Sequence, residues 1–403
     1  MKGARCLAYV FTLAVVLMGL VDRAGAVPVF ARKYGFRCTM CHVQFPKLND
    51  FGQAFRDNGY RIMGKEAQEK NVFETPTPLA LRTSAGYNNA SIDNPGGERA
   101  DVRAFQLNGL DVLSAGLFSD RIGYFMVYTP EIKGSRSVVA QDGTLEMANV
   151  VYGVRSAPVP FTVRLGRFEP AYVAFSVKRT LTVGPYDVYD FAGPEGFAMS
   201  DTQTGIELAT VLRNRVKLAA GWVNGNETQP ASDSPSAFYL RASKTLGRGE
   251  GQVVGHRLGA FACFGRNRLA GGTGNRENIR RLGVDASLSL GQTNVMAQYV
   301  TGRDDAALNT FDPTRDYDFS GGFLEANHSF PHDVLGFARW GWVNTPDEQN
   351  QDTKGWTLGL RYYPEMNVAM HVEYFKRKID HGAADGMSDL DEKMWTVRAD
   401  FSF

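Results

Sequence analysis

From residue 79 onward the chain alternates between apolar and polar positions, the period of a β-strand with two unlike faces. The last stretch shows it plainly. Trp395, Val397, Ala399, Phe401 and Phe403 share one face, and Thr396, Arg398, Asp400 and Ser402 share the other. The pattern predicts strands over 79–90, 102–114, 121–131, 144–156, 160–168, 202–213, 215–224, 236–245, 255–266, 279–289, 292–302, 319–330, 333–344, 353–363, 366–376 and 393–403. The number is sixteen, and bacterial single-chain membrane barrels have an even number. The links alternate in length. Short turns fall at 157–159, 214, 331–332 and 364–365, and longer links at 91–101, 132–143, 225–235, 303–318, 345–352 and 377–392. Short periplasmic turns and long outer loops give this alternation, with both termini in the periplasm.

A soluble sheet with one buried face also alternates. Three features favour lipid. The last apolar face ends on Phe403. Aromatics recur near strand ends at Tyr124, Tyr128, Trp222, Trp356, Tyr362, Tyr374 and Trp395, as a girdle requires. The opposite faces carry Arg164, Glu207, Lys217, Arg281, Asp285 and Glu325. No run of about 18 apolar residues marks a membrane helix there. The fold expected is an all-β transmembrane barrel of about sixteen antiparallel strands. The longest link, 169–201, is the third outer loop and carries Pro170, Pro185, Tyr186, Tyr189, Phe191 and Pro194. By resemblance to general porins it is expected to fold inward.

The segment before the barrel reads differently. Residues 1–26 have a basic start at Lys2 and Arg5, an apolar stretch from Cys6 to Leu20, and a small-residue site at Ala24-Gly25-Ala26, the pattern of a secretory signal peptide. Its removal takes three basic residues and one acidic residue, so the formal charge passes from +1 to −1. That balance argues against a nucleic-acid partner. Residues 27–64 hold the chemistry, and the polar stretch 65–78, closed by Pro76 and Pro78, reads as a linker to the barrel at 79–403.

Cys38-Thr39-Met40-Cys41-His42 is a C-x-x-C-H motif, the attachment site of a c-type haem. Each thiol adds to one vinyl group, and the following His meets the iron as proximal ligand. The motif occurs once, so one covalent haem c is expected. A zinc site needs further ligands nearby, and no second Cys/His pair follows. Cys263 is then the one thiol left over, expected as a small hydrophobe. A helix is predicted over Pro46–Asn58, with Leu48, Phe51 and Phe55 on one face and Gly59 as its stop. So short a segment builds no core alone. It needs the haem and a surrounding wall, and the lumen of a sixteen-stranded barrel offers one.

For the far side of the iron, Met63 is the first candidate and His371 the second, beside an open site or another ligand; a thioether there raises the potential. The loop carboxylates Asp304, Asp305, Asp312, Asp316 and Asp318 are candidates for attracting cations such as Fe²⁺.

Pro28-Val29-Phe30-Ala31-Arg32, the Cys38–His42 motif, Pro46-Lys47-Leu48-Asn49, Gly52, Phe55 and Asn58-Gly59-Tyr60 together resemble the fused outer-membrane monohaem cytochrome–porins of iron-oxidising bacteria. Lys33-Tyr34 departs from the Gln-Thr expected there. The resemblance implies a protein of the outer-membrane lipid that oxidises extracellular Fe(II) and passes electrons to a periplasmic cytochrome. Two other readings stand beside it: outward transfer to an extracellular metal acceptor, and a diffusion porin with a structural haem plug.

Overall fold

The computed structural model describes residues 29–402 apart from 45, 66–69, 75–77, 94–99, 132–142, 194–195, 226–235, 248–254, 269–275, 310–311, 347–350, 366 and 382–387. The expected signal peptide and Phe403 lie outside the described residues.

Sixteen antiparallel strands close into one barrel. They are β1 Leu79–Asp93, β2 Ala100–Leu117, β3 Ile122–Thr129, β4 Thr144–Val154, β5 Phe161–Phe168, β6 Gln203–Val211, β7 Val216–Val223, β8 Ala237–Leu246, β9 His256–Arg268, β10 Arg276–Leu290, β11 Thr293–Asp304, β12 Tyr317–Phe330, β13 Val334–Asn344, β14 Gln351–Glu365, β15 Val368–His381 and β16 Leu390–Ser402. Each predicted strand has its counterpart, and neighbours in sequence are neighbours in the wall. The seam pairs β16 with β1, Phe401 opposite Thr83 and Ser402 opposite Arg82. One predicted turn moves: β14 runs on through Pro364 to Glu365, with a register shift before the end, where the prolyl residue interrupts no central ladder.

The alternation sorts the two faces as expected. Leu324 is 48% exposed and the adjacent Glu325 1%; Trp395 is 54% exposed and Thr396 is fully buried. Apolar side chains outside and charged ones inside are the pattern of a membrane-spanning barrel. Trp356, Tyr374 and Trp395 form a run of touching rings across β14–β16, with centroids 4.9 and 4.5 Å apart.

The link 169–201 turns into the lumen. The short helix Asp187–Asp190 packs on β12 and β13. The Tyr186 hydroxyl donates to Glu325 Oε2 at 3.0 Å, and Arg339 donates to the carbonyls of Gly184 and Pro185 at 3.0 and 2.7 Å. The Val183 N–H donates to both oxygens of Glu373 at 3.1 and 3.0 Å. Tyr172, Tyr186 and Tyr189 of the loop and Phe261, Met296 and Phe323 of the wall are part of one apolar core. Cys263 is buried in it, its sulfur 3.6 Å from the Tyr172 hydroxyl.

The N-terminal segment lies in the opposite mouth. It comprises α1 Val29–Tyr34, a 3₁₀ turn Cys38–Met40, a two-stranded ribbon of His42–Gln44 and Lys47–Leu48, and α2 Asp50–Asp57. The helix predicted from Pro46 begins four residues later. Asn49 is its N-cap, accepting from the Gly52 N–H at 2.8 Å, and Lys47 and Leu48 are taken by the ribbon. Phe51 and Phe55 keep the shared helix face, with ring centroids 6.3 Å apart.

Candidate functional site

The site starts from the 3₁₀ turn. The Cys41 N–H donates to the Cys38 carbonyl at 3.1 Å, which folds the two thiols onto one tight turn; neither is in a disulfide. Burial raises the Cys38 thiol, and burial followed by the neighbouring Cys38 pushes Cys41 up to about 11. Both therefore stay protonated, unlike the depressed thiol of a redox C-x-x-C pair.

His42 leads straight into the ribbon. Its Nδ1 stands 3.1 Å from the Pro46 carbonyl, a bond that requires the Nδ1–H tautomer and leaves the lone pair on Nε2. Metal-bound histidines are commonly oriented by such a backbone carbonyl. Burial lowers the imidazole to about 4, against opposing hydrogen bonds to Pro46 and Lys47. It is neutral at ordinary pH.

Asn49 holds the turn and the helix together. Its Nδ2 donates to the carbonyls of Thr39 and Met40 at 3.1 and 3.0 Å, while its Oδ1 caps α2 and its N–H donates to the Cys41 carbonyl at 2.9 Å. Gly52 allows the close approach, since a Cβ there would lie 2.1 Å from the Cys41 carbonyl oxygen.

The barrel grips this segment from several walls. Lys217 Nζ on β7 donates to Asp57 Oδ1 at 2.7 Å. Arg257 Nη2 on β9 donates to Asp50 Oδ1 at 2.6 Å, and the Gly255 N–H adds a bond to the same carboxylate at 3.1 Å. Lys47 Nζ donates to Asn294 Oδ1 on β11. Tyr60, at a left-handed φ of 65°, stacks on Phe125 of β3 with centroids 5.4 Å apart. Arg61 is fully buried and donates to the Asp120 carbonyl at 3.3 Å. Room for this corner comes from two wall glycines. A Cβ on Gly123 would meet the Gly59 carbonyl oxygen at 2.1 Å, and one on Gly153 the Arg61 guanidinium at 2.7 Å.

Between this segment and the inward loop lies a cavity of about 360 Å³, within the roughly 300–1,000 Å³ of small-molecule sites. Cys38, Cys41 and His42 line it, with Phe175 and Tyr186 of the loop and Met147, Met296 and Tyr363 of the wall. Two sequence candidates are not part of that lining. Met63 is 65% exposed, and His371 is buried with Nε2 3.0 Å from Glu373 Oε2. The carboxylates read as candidates for attracting cations have partners within the chain: Asp304 of β11 pairs with Arg281 of β10, Asp318 of β12 stands 3.9 Å from Arg303, and in the loops Asp316 pairs with Arg303, Asp305 with Asn278 and Asp312 with Thr314. Lys217, Arg257 and Asn294, the wall groups that seat the segment, carried no sequence signal beyond facing the lumen.

No family model and no curated protein matches the chain. Solved structures do. The chain is similar to an anion-selective porin from Comamonas acidovorans (TM-score 0.57, 11% identity, 81% of this chain and 99% of that one). It is similar to the outer-membrane channel DcaP of Acinetobacter baumannii (TM-score 0.59, 10% identity, 81% and 97%) and to Salmonella typhi OmpF in complex with daunomycin (TM-score 0.52, 12% identity, 81% and 97%). The fold is thus a porin-type barrel.

Proposed function

We propose that this chain is an electron conduit of the bacterial outer membrane, exported by its signal peptide, with one covalent haem c on Cys38 and Cys41 and His42 as proximal ligand. The observation that carries the reading is the position of the Cys38–His42 turn, inside the barrel mouth and facing a cavity roofed by the inward loop. The donor set fits the group: two neutral thiols on one turn, and an imidazole whose Nδ1–H is already committed to a carbonyl. The cavity walls are largely apolar. When bound, the haem supplies one-electron redox chemistry.

The chain's own residues set the depth of that centre. A tethered haem outside a membrane core of about 25 Å serves one side only. A haem segment clamped by Asp50, Asp57, Tyr60 and Arg61 stands within the wall. The resemblance supplies direction and substrate: extracellular Fe(II) as donor and a periplasmic cytochrome as acceptor.

The test mixes detergent-solubilised, haem-loaded protein with Fe(II) and follows the Soret band. Reduction of the haem is expected. Absence of reduction at neutral and acidic pH removes the iron reading; a strongly negative midpoint potential then favours outward transfer. Planar-bilayer recording addresses the porin reading: the intact protein is expected to conduct little, and an open-pore conductance would favour diffusion.

A further inference from the structure

We infer that the ligand on the far side of the haem iron is Met296, supplied by the barrel wall rather than by the N-terminal segment. The inference rests on the haem reading of the site.

The sixth donor must belong to the cavity that Cys38, Cys41 and His42 line. The usual protein donors to haem iron are His, Cys, Met and Tyr, and the lining lysines Lys47 and Lys217 are held by Asn294 and Asp57. Among the described lining residues His42 is the one histidine, and the two cysteines are the attachment thiols. The lining tyrosines are engaged: Tyr60 between Phe30 and Phe125, Tyr186 with Glu325, Tyr363 with Arg361. Two thioethers remain, Met147 of β4 and Met296 of β11, both buried and lumen-facing. A thioether has no hydrogen-bonding claim on its neighbours and is soft enough for iron.

The inward face of β11 reads Asn294, Met296, Gln298 and Val300, all buried, so the methionine stands between two amide side chains. Asn294 accepts from Lys47, in the ribbon that His42 opens. Met296 is the next inward position, about 7 Å further along the strand. The wall that carries it is therefore the wall to which the haem ribbon is tied. Met147 stands seven strands away round the barrel. Met296 also packs in the apolar core that the wall shares with the inward loop, so its ligation ties that loop's footing to the iron.

The test uses full-length, haem-loaded protein. The wild type is expected to show the near-infrared methionine-to-Fe(III) charge-transfer band. Met296→Leu is expected to keep the covalent haem and the folded barrel's heat-modifiable migration, to lose the band, and to turn high-spin with a lower potential. Met296→His is expected to stay low-spin without the band. A band that survives Met296→Leu overturns the inference. So does a band absent from the wild type, or one lost on Met147→Leu or Met63→Leu instead. Wild-type protein that takes up no covalent haem overturns the reading of the site itself, and this assignment with it.

Discussion

Asp57 of the N-terminal segment accepts a hydrogen bond from Lys217 of the barrel wall at 2.7 Å, across 160 residues of sequence. The pair is mostly buried, with Arg56 beside it. A charge-assisted bond of this kind contributes roughly 1.5–3 kcal/mol. Lys217→Glu is expected to loosen the segment and raise planar-bilayer conductance. The exchange Asp57→Lys with Lys217→Asp is expected to restore the closed state. Unchanged conductance in Lys217→Glu would show that the segment is held without this contact.

The same carboxylate sets an acid limit. Burial raises Asp57, but Lys217 and Arg56 outweigh it and hold the group below its ordinary value of about 3.9. Its contribution is therefore present above that value and is lost as pH falls through the lower native one. The segment is expected to stay protease-resistant through pH 5 and to loosen below the usual carboxylate range. Asp57→Asn should flatten that acid limb, as read by proteolysis against pH.

Gly52→Ala puts a carbon 2.1 Å from the Cys41 carbonyl oxygen. Helix α2 must then move off the attachment turn, at a cost of about 1–3 kcal/mol or more. Haem stain per unit of barrel protein is expected to fall sharply. Normal loading would show that the turn tolerates the displacement.

Asn49 separates two duties. Asn49→Asp keeps an oxygen for the Gly52 N–H but loses both donations to Thr39 and Met40 and sets a carboxylate against their carbonyls. Asn49→Ala loses the cap as well, worth about 1 kcal/mol. Both are expected to lower haem loading. If loading follows only the cap, Asn49→Asp should behave as wild type.

Gly153→Leu fills the space of the Arg61 guanidinium. The Asn58–Arg61 corner is expected to leave the β3–β4 wall, which protease cleavage near residue 61 would register. An unaltered cleavage pattern would mean that the corner repacks in place.

The barrel was legible because its two faces meet unlike solvents. Leu324 and Glu325, or Trp395 and Thr396, differ as sharply in the sequence as they do in exposure. The Cys38–His42 motif could be read from sequence because it is local: a C-x-x-C-H spacing needs no knowledge of the wall. What escaped was everything set by wall-to-segment register. Nothing near Met63 says that it faces outward, and nothing near Met296 says that an N-terminal ribbon arrives beside it. The start of α2 was missed for a smaller reason. Asn49 reads equally as a mid-helix residue or a cap, and the competing ribbon pair His42–Leu48 decides between them.

The seam between β16 and β1 bears on how the molecule is made. The N-terminal segment is held at once by β3, β7, β9 and β11. The last strand of the barrel shuts the cylinder against the strand that follows this segment. On the proposed reading, a haem on Cys38 and Cys41 would be installed either before β16 finds β1 or afterwards through the periplasmic opening. On the first route, attachment and closure of the wall would compete in time, and a chain whose barrel closes early would be left as an empty cylinder.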